Sequence, residues 1–395
     1  MGTPLTVSLV LLAILLGAGF AFDSGEPARP APKAAPATPI ATLERRVEQI
    51  RELRFETLPK PQEVSPATAK REGLEDLDRS YPAAQRHADE EVLKLLGLLG
   101  PGVDLRDVSA TIFGQGVAGY YDPRTKRMRI VRGAQTENQV LNEITISHEL
   151  THALEDQRFK LDLEDTSGSD DASLANLALV EGSATAVMFT YAERHFSAEQ
   201  TLGGLFSSLG QDTGDLPPFI EAQLIFPYIQ GQKFVQRLYE TGGGSWSLVN
   251  SAYRFRPPAS TEQILHPDKY LRVEEPGKVR LDAKTGPGWR RLQAGTWGEW
   301  ATGELIDDPQ AAEGWGGDRY ELWQRGSGDC AAPCRDRDAL VMRWRWDTPG
   351  AARRFEAALR EWLSEQTGSR AISSRGLEVA LALAPEADLA QRLVQ

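Results

Sequence analysis

The longest unbroken run of apolar and small residues opens the chain: Leu5 to Phe22 carries no charge, and Asp23 is the first charged side chain. A stretch apolar all round is the pattern of a secretory signal or a membrane anchor, because a core helix in this position would keep one polar face. Ala21, with Gly19 two residues before it, suits a signal-peptidase cut. The absence of Lys or Arg ahead of the run, and a length approaching a bilayer span, cut against a simple signal and leave an anchor as the other reading. Residues 23–40 follow, with Pro27, Pro30, Pro32, Pro36 and Pro39 set among alanines, and read as an extended linker.

Beyond the linker the period changes. Leu43, Val47, Ile50 and Leu53 recur at helical spacing until Pro59 and Pro61 end the pattern, and a second helical pattern runs from Ala83 to Leu99 before Gly100-Pro101-Gly102. The helices within 41–107 read equally as a propeptide-like arm or as part of the main domain. Val108 to Tyr121 reads as a strand interrupted by glycines. Asp122 to Lys126 has turn chemistry, and Met128 to Val131 is a return strand, so the segment predicts a β-hairpin. Two long helical patterns come next, Asn138 to Phe159 and Ala172 to His195, separated by the polar loop 165–171. Pro217 to Tyr270 reads as mainly helical, broken at Gly242-Gly243-Gly244 and Pro257-Pro258. Within it, Ser260 followed by Gln263 is a capping-box signature for a short helix ending at His266-Pro267.

The last eighty or so residues change character: Arg319 to Gln324, Ala339 to Trp346 and Leu377 to Leu383 read as strands around a helix from Pro349 to Glu365. Trp315, Trp323, Trp344 and Trp346 fall in or beside this unit and are assigned to its core. The pattern therefore predicts an α+β protein: a signal peptide or anchor over 1–22, a linker over 23–40, a main domain with its N-terminal helices over 41–316, and a small α+β subdomain over 317–395.

A hydrophobic fraction of 41% and a charged fraction of 25% are ordinary for a globular chain. The net charge of −12 offers no basic stripe and excludes a nucleic-acid surface of the usual kind. The only cysteines, Cys330 and Cys334, sit in one short loop with no further ligands for a zinc knuckle; in an exported chain they predict a small disulfide.

The motif that carries chemistry is His148-Glu149-Leu150-Thr151-His152. On a helix, positions i and i+4 share a face, so the two imidazoles can hold one metal ion while Glu149, on the adjacent flank, reaches a water on that ion. A catalytic zinc needs a third protein ligand. Glu181 is the leading candidate: it is a lone carboxylate in the apolar stretch Leu174 to Phe189, where a partner is needed to offset burial, and Gly182, Ser183 and Ala184 beside it permit close helix approach. His195 competes, but on one straight helix it lies about 21 Å from Glu181 along the axis and cannot serve the same ion. Glu143, Glu155, Asp156 and Asp171 are near enough in sequence to support the imidazoles, with Asp156 read instead as a solvated helix end.

His148-Glu149-Leu150-Thr151-His152 followed by Glu181-Gly182 resembles the gluzincin metallopeptidases, over about Gly114 to Tyr191. More loosely, the chain looks like a poorly characterised group of bacterial exported proteins that share the Ser260-Thr-Glu-Gln-Ile-Leu-His-Pro267 segment. The resemblance implies a zincin core with an active-site helix, an upstream hairpin, a second ligand helix and a helical lobe. It also implies Zn2+ on His148, His152 and Glu181, Glu149 as general base, and a hairpin edge from Val117 to Tyr121 that receives a peptide or protein substrate through Gly119, Tyr120 and Tyr121. For the residue that faces the oxyanion, His266 leads, with Tyr120, Tyr121 and Tyr270 as alternatives; His266 reads equally as a helix C-cap. The expected activity is zinc-dependent peptide-bond hydrolysis outside the cytoplasm, by a secreted or membrane-anchored protein attached through residues 5–22. The rival expectations are an envelope zinc hydrolase acting on a non-peptide amide or ester, and a non-catalytic zinc-stabilised binding or scaffold protein, which would not need Glu149.

Overall fold

The computed structural model describes residues 11–12, 38–115, 119–132, 139–161, 170–197, 200, 216–326, 330 and 332–395. Most of the N-terminal apolar run, the linker up to residue 37, Val117 and the polar loop 165–169 lie outside the described residues. The architecture is α+β: a helical half built around two central helices, a small sheet on its flank, and an antiparallel sheet at the C-terminal end.

Helix α1 (Ile40–Arg51) buries Leu43, Val47 and Ile50 and stops where Glu52 takes a left-handed conformation. After the short strand β2 (Gln62–Val64), α2 (Pro66–Ser80) starts at Ser65, whose side chain accepts from the Thr68 N–H, with Pro66 in the first turn. Helix α3 (Ala83–Leu95) leads into α4 (Leu105–Gln115). The strand expected from Val108 onward is therefore a correction. Asp104 accepts from the N–H groups of Arg106 and Asp107, capping a helix, and Leu105, Ser109, Ile112 and Phe113 bury one helical face. The hairpin itself is present but shorter: β3 (Gly119–Asp122) pairs antiparallel with β4 (Arg127–Val131), and β2 adds to β4 in parallel. The outer edge of β3 carries the two-residue strand Leu11–Leu12, labelled β1, running antiparallel.

Helices α5 (Gln139–Phe159) and α6 (Asp170–His195) form the middle of the fold, and α7 (Pro218–Thr241) packs along α6. Helix α6 is long and apolar enough to cross a bilayer by composition, but 72% of its apolar window is buried inside the fold, so neighbouring helices take up its apolar faces. A Cβ on Gly182 would overlap the Gly231 backbone of α7, and one on Gly231 would overlap Ala178 of α6, so the two backbones touch. Helices α8 (Ser247–Phe255), α9 (Thr261–Leu265) and α10 (Pro267–Leu271) complete this half. Ser260 caps α9 by accepting from the Gln263 N–H, and His266 ends it, as the pattern predicts.

The C-terminal sheet has the order β5-β6-β7-β9-β8, antiparallel throughout, with β5 (Trp289–Gly295), β6 (Trp315–Arg325), β7 (Asp338–Trp346), β8 (Ser369–Arg375) and β9 (Glu378–Ala384). Strand β5 lies upstream of the boundary expected at 317, so the sheet draws on residues assigned by pattern to the main domain. Along β7 the faces alternate: Leu340, Met342, Trp344 and Trp346 enter the main core with Phe355 of α11 (Pro349–Glu365), while Ala339 and Val341 pack under α12 (Ala387–Leu393). Trp315, Trp344 and Trp346 are fully buried and Trp323 is half-buried, so the tryptophans are mainly core. Cys330 and Cys334 form a disulfide.

The helices of 41–107 are part of this body. The Arg51 guanidinium is buried, pairs with Glu155 of α5 at 2.6 Å, and stacks 4.3 Å from the Trp246 ring centroid; Glu91 of α3 accepts from the Cys334 N–H at 2.7 Å.

Candidate metal centre

Helix α5 places His148 and His152 one turn apart on its buried face, with ring centroids 4.6 Å apart and planes nearly perpendicular. Leu150, Ala153 and Leu154 fill the core around them, so the imidazoles are held in a packed helix rather than on a loop. Glu181 reaches the same point from α6. Its Oε2 lies 3.1 Å from His148 Nε2 and 3.4 Å from His152 Nε2, and the two Nε2 atoms are 2.9 Å apart. Three donor atoms at these separations match the edges of a tetrahedron around zinc, which are roughly 3.3 Å for bonds near 2.0 Å. All three side chains are buried. The donor set, two imidazole nitrogens and one carboxylate oxygen, is one that zinc favours.

Charge reinforces the convergence. Burial pushes Glu181 up, but the two histidines outweigh it and hold the carboxyl at about 2. Burial and the neighbouring His152 lower His148, while burial of His152 is outweighed by Glu181, Glu149 and Glu155, which raise it. The centre therefore keeps an ionised carboxylate and at least one neutral imidazole lone pair available near neutral pH.

Glu149 is buried on the flank of the same helix. The hairpin comes directly against it: a Cβ at Gly119 would stand 3.6 Å from Glu149 Cγ and 3.1 Å from the Arg129 carbonyl oxygen. Glycine at 119 lets the β3 backbone approach the carboxylate. Tyr120 and Tyr121 point to opposite faces, and both hydroxyls are engaged, Tyr120 donating to Glu72 at 2.6 Å and Tyr121 to Asp156 at 2.7 Å. What β3 offers at Glu149 is backbone rather than tyrosine hydroxyl.

The carboxylates considered as imidazole supports are committed elsewhere. Glu143 accepts from Tyr191 at 2.9 Å, Glu155 from Arg51, Ser183 and Tyr253, Asp156 from Tyr121 and Lys126, and Asp171 from Thr261. Asp156 is buried rather than a solvated helix end, because the Lys126 ammonium and the Tyr121 hydroxyl cover it. Among the described residues, His148 Nδ1 and His152 Nδ1 have no hydrogen-bond partner.

His266 does not join the triad's cluster: its Nε2 lies 2.8 Å from Glu299 Oε1 at the junction of α9 and α10. The Tyr270 hydroxyl donates to the Arg256 carbonyl, and His195 packs on the Tyr191 ring. The aromatic ring that does pack against the centre is that of Tyr228 of α7, stacked on His148 with centroids 6.0 Å apart. Sequence reasoning missed it because α7 lacks a motif; the available signal was Pro227, a proline inside the helix immediately before it.

Two other acidic groupings among the described residues are less suited to a metal. Glu91 and Asp338 neighbour Cys334, whose sulfur is in the disulfide, and Glu262, Glu274 and Asp347 surround the Lys269 ammonium at 2.6–2.8 Å.

A family model described as "Domain of unknown function (DUF8575)" matches residues 287–391, the C-terminal sheet with its helices, and stops short of the triad. No curated protein and no solved structure matches the chain.

Proposed function

We propose that this chain is a zinc metallopeptidase with a gluzincin-like core, acting outside the cytoplasm. The observation that carries the reading is the meeting of His148 Nε2, His152 Nε2 and Glu181 Oε2 within 3.4 Å of one another on two packed helices, with Glu149 on the adjoining flank. Zinc held there supplies Lewis acidity toward a water and toward a substrate carbonyl. Glu149 takes the proton from the attacking water and returns it to the leaving amine, and its burial beside the β3 backbone keeps that carboxylate in one place. Strand β3 aligns the substrate: its outer edge already accepts an extended antiparallel segment, the chain's own Leu11–Leu12, which is the way a peptide would add to it. Tyr228 replaces His266 as the group assigned to the developing oxyanion, since His266 is bound to Glu299.

Glu149→Gln is the test. The variant should bind zinc with the stoichiometry of the wild type and lose cleavage of a mixed peptide library. Equal cleavage by both proteins would remove Glu149 from the chemistry. Zinc binding without cleavage by either would favour the non-peptide or scaffold reading.

A further inference from the structure

We infer that Glu91, Asp338, Cys330 and Cys334 form a zinc site that comes into being when the disulfide is reduced. The cysteine loop has no further ligands near it in sequence, and the fold brings them from elsewhere. Glu91 comes from α3 and Asp338 opens β7; a carboxylate oxygen of each lies within 4.8 Å of the other and of Cys334 Sγ. The Cys334 N–H donation to Glu91 at 2.7 Å fastens the loop to α3 across a separation of 243 residues. Cys330 Sγ, bonded to Cys334, accepts from the Gln324 side-chain amide of β6 at 3.7 Å.

The carboxyls are set as for a cation. Glu91 is 0% exposed and Asp338 1%, yet Glu91 Oε2 and both Asp338 carboxyl oxygens have no hydrogen-bond partner among the described residues. Buried polar atoms left in this way are costly. The Lys94 ammonium, three residues on from Glu91, pairs with Glu90 instead. Burial raises both carboxyls, outweighing the pull of Lys94 on Glu91 and of His87 and Arg337 on Asp338, and the Asp338 charge raises Glu91 further. The pair keeps a proton near neutral pH, in the place that a metal ion would take.

Reduction completes the donor set. Cys330 is half-buried and is the sulfur that a reductant reaches first. One thiolate of a dithiol donor attacks Cys330 Sγ and displaces Cys334 Sγ as thiolate; the donor's second thiol then resolves the mixed disulfide. Two electrons pass to the protein, which is left with two cysteine thiols, and the donor leaves as its disulfide. Zinc displaces the thiol protons and the proton held by the carboxyls. Two thiolates and two carboxylate oxygens close a four-coordinate shell, the form of a structural rather than a catalytic zinc, and tie α3 to the C-terminal sheet. Neither the triad nor Glu149 enters this inference, so it stands apart from the peptidase reading.

The full-length chain, opened with tris(2-carboxyethyl)phosphine, is titrated with Co2+ as the probe for zinc. A thiolate-to-cobalt charge-transfer band in the near ultraviolet reports this site alone, because the triad has no sulfur. The band should appear on the reduced chain and be absent from the oxidised one. Asp338→Asn and Glu91→Gln, close in shape but uncharged, should each weaken the Co2+ that gives the band at least about 10-fold. A reduced chain that keeps its far-ultraviolet circular dichroism and shows no band would overturn the proposal. A band of unchanged affinity in both variants would give the metal to the cysteines alone and remove the carboxylates from the site. A chain that unfolds on reduction and is not restored by Co2+ would also overturn it, since the carboxylates meet the sulfurs only in the fold.

Discussion

The two halves of this molecule bury their interiors in different ways. Around α5 and α6 the interior is threaded with charge: Arg51 pairs with Glu155 and Glu181 with two histidines inside the core, while the buried Glu143 and Asp156 pair with Arg46 and Lys126, which reach in from the surface. In the C-terminal sheet the face toward α11 is built on Trp344, Trp346 and Phe355, ring against ring, with Phe355 4.9 Å from Trp344 and 4.5 Å from Trp346 by centroids. Buried ion pairs contribute little net stability compared with apolar packing, but removing one partner leaves an uncompensated charge. The sheet half is therefore the one suited to stabilise the body, and the helical half the one that fixes where polar atoms stand.

Substitutions separate the two roles. The largest effect expected is in the sheet: Trp344→Ala deletes a fully buried ring and the Nε1 donation to Thr302 at 3.0 Å, and should cost about 3–5 kcal/mol in denaturant unfolding. Zinc stoichiometry of the folded fraction should not change; a loss of zinc with intact stability would break the division of labour. Next comes Tyr228→Phe in the helical half. It keeps the ring on His148 and removes only the hydroxyl, so kcat should fall roughly 10²–10³-fold, with KM and metal content unchanged.

The smallest effect lies at the seam between the halves. Burial raises Asp89 to about 7 against hydrogen bonds from Gln293 and Tyr81, and raises Asp318 to about 6 and Asp171 to about 8. The ordinary value is 3.8, so the folded chain keeps protons that the unfolded chain has released. Their stabilising contribution is complete below about pH 4 and is lost as the pH climbs through 6 to 8. Thermal melting should accordingly move down over that range, and Asp89→Asn should flatten the curve. An unchanged slope would mean that the Asp89 seam does not titrate.

What was legible in the sequence follows the same division. His148, Glu149 and His152 could be placed because a spacing of four on a helix is a geometric statement in itself, and Glu181 because a lone carboxylate in an apolar stretch needs a partner. The strand pattern of β6 and β7 and the helix after Pro349 were legible because alternation and capping are local. Helix α4 was not, since Val108, Thr111, Ile112 and Phe113 are β-formers and the Asp104 cap outweighs them only once the helical face is packed. Strand β5 hid behind Arg290 and Arg291, whose exposure leaves just a short stretch of alternation. Tyr228 and the true partners of Asp156 and His266 are products of helix packing, which no local spacing encodes.

The contact between Gly182 and Gly231 bears on how stable the shape of the centre is. Glu181 stands next to one glycine and Tyr228 one turn before the other, and at their crossing no side chain separates α6 from α7. Most helix pairs are spaced by rotamers, which can be repacked by mutation or loosened by heat. Here the spacing is the thickness of two peptide backbones, a length that neither process alters, so the distance between Glu181 and Tyr228 is ruled off against covalent geometry.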